Sequence, residues 1–209
     1  MSAAAMRGPG RPKDDSKRLA LLQAARQLLL ERGVEVTTGE VAAAAGVAKS
    51  TLYAHFKDKE ELVEAVITHE SSDVIADSVI DIAQAADFAA VISAFGQRYV
   101  RFVNQTDVAG WDRLIAQGTR RRPDLSRRFY DAGPGRWHRL LVRLLETGNR
   151  LGQLQIQDTD QAAEDLAALW QGTSSLQVKL GVALPLDDAG IRAKVAHGLR
   201  VFQAFYGSA

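Results

Sequence analysis

One stretch constrains this chain more than any other: Thr37 to Lys59, TTGEVAAAAGVAKSTLYAHFKDK. Thr37 followed three residues later by Glu40 has capping-box spacing, in which each side chain bonds the other's backbone N–H. Val41, Ala42 and Ala45 then recur at helical intervals on one face. Gly46 stops that helix, because glycine takes left-handed backbone angles at little steric cost. A second short helix is expected from Lys49 to His55, with Leu52 and Phe56 turned inward. Asp58 and Glu61 repeat the capping-box spacing and open a longer helix at Lys59. Two short helices crossed over a glycine turn, with alanine at the contact, make a helix-turn-helix. The second helix of such a unit enters the DNA major groove.

The run EVAAAAGVAKSTLYAHFKDKEEL resembles the DNA-binding signature of the tetracycline-repressor (TetR/AcrR) family. The matching positions are Thr37, Val41, Ala42, Ala45, Gly46, Val47, Thr51, Leu52, Tyr53, His55, Phe56, Lys59 and Leu62. Ala48 departs from it, because the family usually has a serine there that caps the recognition helix. Loss of such a cap costs about 1 kcal/mol, which the packing of Leu52 and Phe56 can absorb. The resemblance implies that Thr37, Tyr53, His55 and Lys59 touch phosphates. Lys49, Ser50 and Thr51 lie on the exposed side of the recognition helix and are candidates for base reading, lysine toward guanine O6 and N7. Phosphate contacts set register and base contacts specify sequence. Packing within the small unit is the competing role for Tyr53 and His55.

Residues 1–13 hold Gly8, Pro9, Gly10 and Pro12, which block regular structure, and Arg7, Arg11 and Lys13, which make the segment basic. Gly10-Arg11-Pro12 resembles the tripeptide of AT-hook segments, so a flexible arm reaching into an A·T-rich minor groove is expected. A solubilising tail is the alternative. Residues 1–60 carry ten Lys/Arg against seven Asp/Glu, whereas the remainder carries sixteen against eighteen, in a chain of net charge +1. The asymmetry puts the nucleic-acid face at the N-terminus.

A first helix is expected from Asp14 to Arg32, with Leu21, Leu22, Ala25, Leu28 and Leu29 as its apolar stripe and Gly33 ending it. The helix opening at Lys59 continues in pattern to Ala85 and crosses the domain boundary without a flexible linker. Beyond Asp87 the pattern stays helical. One face holds Phe88, Val91, Ile92, Phe95, Tyr99, Phe102 and Val103; the next holds Val108, Trp111, Leu114 and Ile115. A basic loop, Arg120-Arg121-Arg122-Pro123, precedes a short helix at Asp124–Asp131. Pro134 then opens a helix to Arg150. Two last helices are expected at Asp160–Val182 and Asp187–Tyr206. RPDLSRRFYDAGPGRW and DLAALWQG also resemble the C-terminal domain of AcrR-like members of the family.

The larger domain of that family senses ligands, and this resemblance turns attention to the bulky rings here. Tyr99, Phe102, Trp111, Trp137 and Trp170 are candidates for the wall of a cavity, with Gln117 and Gln171 among its polar groups. Filling a core is the alternative for any single ring. Arg120–Arg122 with Arg127 and Arg128 either attract an anion or form a solvated surface. The last two helices carry more apolar surface than peripheral helices need: Leu166, Leu169, Leu176, Val178, Leu180, Val195, Leu199, Val201, Phe202 and Phe205. In the family such helices pair with their copies across a two-fold axis, which suits a palindromic operator.

Enzyme chemistry finds no constellation. His55, His69, His138 and His197 are widely separated, and no phosphate loop, nucleophile elbow or dinucleotide fingerprint occurs. There is no cysteine and no apolar run long enough for a membrane span. The expectation is an all-α protein of about nine to ten helices, neither enzymatic nor cofactor-dependent, placed in the cytoplasm. Its parts are a basic arm (1–13), a three-helix DNA-binding domain (14–60) and a helical ligand-binding and dimerisation domain (61–209). The expected function is a ligand-controlled repressor that binds operator DNA as a homodimer and leaves it when a small apolar or aromatic effector binds. An activator or architectural DNA-binding protein without a ligand stays open, as does a helical interaction module with a vestigial helix-turn-helix.

Overall fold

Thr37 and Glu40 form the expected capping box. The Glu40 N–H reaches Thr37 Oγ1 at 3.3 Å, and Glu40 Oε2 accepts from both the backbone N–H and the hydroxyl of Thr37 at 2.8 Å. That box opens α2 (Thr38–Ala44). Gly46, at φ +66°, turns the chain into α3 (Lys49–His55). Asp58 caps α4 (Lys59–Ile75) by accepting from the Glu61 N–H at 2.8 Å. The return bond from Glu61 lands on the Lys57 N–H at 2.7 Å, one residue earlier than the spacing predicts.

This computed structural model describes residues 15–75, 87–112 and 123–208. The remaining named helices are α1 (Asp15–Arg32), α5 (Phe88–Val103), α6 (Pro123–Ala132), α7 (Pro134–Arg150), α8 (Thr159–Lys179) and α9 (Asp188–Tyr206). A short helical stretch covers 108–112, and among the described residues the only extended pairing is an isolated bridge between Leu154 and Gly207. The fold is all-helical, as its periodicity predicts. The expected continuation of α4 to Ala85, the rings' neighbours Leu114 and Ile115, Gln117 and the Arg120–Arg122 cluster lie outside the described residues, as do Arg11 and Lys13.

Two apolar cores result. In the first, Leu21, Leu22, Ala25 and Leu29 of α1 close over Val41, Ala42, Leu52 and Phe56, all nearly inaccessible. This core continues up α4 through Leu62, Val63, Val66 and Ile67, and it also takes in Trp111. The turn carrying Trp111 approaches α1 so closely that a Cβ on Gly110 would stand 2.9 Å from Leu30 Cδ2. The two cores therefore meet at α4 and at the segment after α5.

In the second core, α5 packs on α7, α8 and α9. Asp87 caps α5 through the Ala90 N–H at 3.0 Å, and Asp158 and Asp187 cap α8 and α9 in the same manner. Trp170 lies at the centre, fully buried. Cβ atoms added at Gly96 of α5 and Gly198 of α9 would stand 2.6 and 2.7 Å from its ring atoms. The absence of side chains at those two glycines makes room for the indole. Its Nε1–H points to the Val195 carbonyl at 3.4 Å. Trp170 is thus a core residue and is not among the residues lining the cavity described below, a correction to the expectation above.

A second correction concerns the last two helices. Leu166, Val195 and Phe202 are buried inside this second core, where their apolar surface is already covered by the chain's own helices. Leu169 and Leu199 are half-buried. Leu176 and Leu180 are 55% and 67% exposed, beside Val201 and an 80% exposed Phe205. Helical spacing identifies apolar residues, but it does not say which of two opposed faces meets the chain's own core.

Candidate nucleic-acid interface and cavity

On α3, Lys49 and Ser50 are exposed and Thr51 is half-buried. Ala48 caps it with extended backbone and no side-chain bond. Tyr53 is 48% exposed and its hydroxyl lies 3.1 Å from Thr38 Oγ1, while Lys49 Nζ sits 5.9 Å from the centre of its ring. That places the tyrosine hydroxyl at the junction of α2 and α3. His55 is half-buried against Phe56, with Nδ1 shielded and no bond to a described residue. Lys59, at the start of α4, is half-buried, and burial lowers its pKa against the opposing pull of Glu35, Glu60 and Glu40. Thr37 spends both of its donors on Glu40, so in the free protein it is a cap.

A cavity of about 310 Å³ lies where the two cores meet. Tyr99, Phe102, Trp111, Trp137 and Gln171 line it, which brings together five of the seven residues singled out by sequence. Tyr99 stacks on Trp137 with ring centres 3.9 Å apart, and its hydroxyl donates to Gln171 Oε1 at 3.2 Å. Burial raises the Tyr99 phenol to a pKa of about 12, so it remains a neutral donor. Of the other two residues, Trp170 stands behind this wall and Gln117 lies outside the described residues.

Sequence reasoning missed the polar part of the wall: Glu70 from α4, Asp112, His138 from α7 and Lys179 from α8. Lys179 Nζ holds Asp112 at 2.7 Å, His138 Nε2 lies 3.3 Å from Asp160, and Arg26 of α1 donates to Glu70 at 2.6 Å. No short sequence motif joins residues from four elements, so no local signal marks them. Of the two roles open to Arg127 and Arg128, anion attraction or a solvated surface, their pairing suits the second. Arg127 pairs with Asp131 at 3.0 Å and Arg128 with Glu64 at 2.9 Å, so each guanidinium already has a carboxylate partner. Among the described residues, no group of acidic, His or Cys side chains is placed to hold a metal, and no helix is long and apolar enough to cross a membrane.

Comparison with known proteins agrees with this layout. Residues 21–66 match the family model for bacterial regulatory proteins of the tetR family, and residues 90–208 match that for the C-terminal domain of AefR-like transcriptional repressors. The HTH-type transcriptional repressor KstR2 of Mycolicibacterium smegmatis is 43% identical over 53 residues, 25% of this chain and 26% of that protein. The repressor BepR of Brucella suis is 45% identical over 51 residues, 24% of each. The chain thus matches only about a quarter of the length of these curated relatives. Whole-chain likeness comes from solved structures. A TetR-family regulator from Mesorhizobium loti superimposes with a TM-score of 0.76 at 23% identity, over 94% of this chain and 99% of the other. The flavonoid-responsive regulator FrrA gives 0.72 at 29% identity, over 92% and 98%. These relatives are transcriptional regulators with a helix-turn-helix rather than enzymes. The chain belongs to the TetR family of bacterial transcriptional regulators, with an AefR-like C-terminal domain.

Proposed function

We propose that the chain is a ligand-responsive repressor, released from a palindromic operator when a small apolar or aromatic effector enters the cavity. The observation that carries this reading is the position of that cavity against α4. Ile67 and Glu70 form part of its wall, and the same helix begins at Lys59, four residues after the recognition helix ends. A molecule in the cavity therefore touches the element that leaves the DNA-reading unit. Such a molecule shifts the population toward a state with wrongly spaced recognition helices only if it binds that state better. Operator DNA then weakens effector binding by the same factor. An architectural protein without a ligand has no use for a cavity at this junction.

The roles follow from exposure and position. Lys49, Ser50 and Thr51 read bases; Tyr53, His55 and Lys59 set the register on phosphates, with Thr37 holding the first helix of the pair. Residues 1–13, through Arg11 and Lys13, add a minor-groove arm to a unit spanning 14–60, and 61–209 sense and dimerise. Two copies pair through the exposed faces of α8 and α9, and the regulator works in the cytoplasm. KstR2 and BepR are named repressors and FrrA is flavonoid-responsive, which supports repression and an aromatic effector. The test is selection of bound fragments from random DNA at two salt concentrations. A pseudo-palindrome whose affinity falls steeply with salt is expected. Recovery of non-specific fragments alone would overturn the reading.

A further inference from the structure

The cavity combines aromatic walls with charges that already have partners. Tyr99, Phe102, Trp111 and Trp137 supply the rings. Among the ionic groups, Lys179 holds Asp112 at 2.7 Å, and Glu70 is held from outside by Arg26 at 2.6 Å. The Lys179 side chain is 18% exposed and that of Asp112 55%, so the ammonium faces the cavity while its partner carboxylate stands toward solvent. An anionic guest bound to Lys179 would set its charge against Asp112 and Glu70. A cationic guest bound to Asp112 would compete with Lys179. Either one breaks the charge-assisted bond of the pair and sets its own charge beside a like charge of the wall, an unfavourable exchange. A neutral hydroxyl has no such conflict, because it accepts from the ammonium and donates to the carboxylate at once. Gln171 adds a neutral amide whose oxygen is taken by Tyr99.

We propose that the effector is a neutral hydroxylated aromatic molecule, with its ring among Tyr99, Phe102, Trp111 and Trp137 and a hydroxyl bridging Lys179 and Asp112. This rests on the reading of the cavity as an effector site and adds the chemical class. The Tyr99 phenol, kept neutral by burial, suits the same uncharged guest.

The test is equilibrium dialysis of the full chain at neutral pH against four probes of one ring system: naphthalene, 2-naphthol, 2-naphthoate and 2-naphthylmethylammonium. 2-Naphthol is expected to bind at least about tenfold tighter than each of the others, the range of a charge-assisted hydrogen bond. In Asp112→Asn and in Lys179→Met that preference should shrink by about tenfold while naphthalene affinity is kept, which also shows that the variants fold. Equal binding of naphthalene and 2-naphthol would overturn the chemical class and leave the effector site standing. Preference for the naphthoate or the ammonium would do the same. If none of the four binds the wild-type chain, the effector reading and this inference fall together.

Discussion

Arg26 of α1 donates its Nε–H to the Glu70 carboxylate at 2.6 Å, and the same guanidinium reaches Asp107 at 2.8 Å. Glu70 belongs to α4 and to the cavity wall, while Asp107 opens the turn that leads to Trp111. One side chain of the DNA-binding unit thus ties together the two places where the cores meet. The Arg26 and Glu70 side chains are 30% and 22% exposed, intermediate between a surface pair and a buried one.

That geometry predicts a measurable coupling. A double-mutant cycle of Arg26→Met and Glu70→Gln, read by urea denaturation, should give an interaction of about 0.5–1 kcal/mol, the upper part of the range for partly solvated pairs. Additive effects of the two substitutions would mean that the pair does not hold α1 to the cavity wall.

Trp170 yields a packing prediction. At Gly96 a methyl group would meet the indole at 2.6 Å and Val195 Cγ1 at 2.9 Å. Alanine favours a helix interior by up to about 1 kcal/mol over glycine, yet overpacking a tight core costs about 1–3 kcal/mol. Gly96→Ala should therefore be net destabilising by about 1 kcal/mol, measured as a lower denaturation midpoint. A stabilised variant would show that the indole can move aside.

Acid should weaken the capping box. The Thr37 backbone N–H, then its hydroxyl, then Arg32 hold the Glu40 carboxylate at a pKa of about 2, below its ordinary 4.5. A carboxylate depressed in this way stabilises the folded state fully above its unfolded pKa, and the contribution is lost as pH falls through the folded value. The N-terminal unit should lose stability progressively between pH 4.5 and about 2. Melting curves across that window should show a shallower pH dependence for Glu40→Gln than for the wild type. Identical slopes would remove Glu40 as the titrating group.

These residues also show where sequence is informative. Thr37, Glu40, Gly46 and Asp58 act over three or four positions of chain, and their spacing alone announces two caps and a turn. Asp87 and Asp187 mark helix starts for the same reason. Trp170 and Trp111 defeat that logic. Each lies in a helical pattern that admits either core or cavity. For Trp170 the choice depends on Gly96 and Gly198, which admit its indole to the core, whereas Trp111, brought up by the approach of residue 110 to Leu30, serves both the N-terminal core and the cavity wall. Leu166, Val195 and Phe202 mislead similarly, because a helix apolar on two faces does not reveal which face the chain covers itself. The pairing of Lys179 with Asp112 spans 67 positions, and nothing local predicts it.

The exposed apolar residues of α8 and α9 carry the last prediction. Phe205 and Leu176 are 80% and 55% accessible in one copy of the chain. In an isolated subunit, replacing such residues changes stability by no more than about 0.5 kcal/mol. At a dimer interface a buried carboxylate in each of two facing copies opposes association strongly. Phe205→Glu and Leu176→Glu should therefore keep the helical content of the wild type while sedimenting as monomers. Their operator affinity should fall, and the dependence of binding on salt should weaken by about half, since one subunit neutralises half the phosphates. Dimers that persist in both variants would place the two-fold axis on another face.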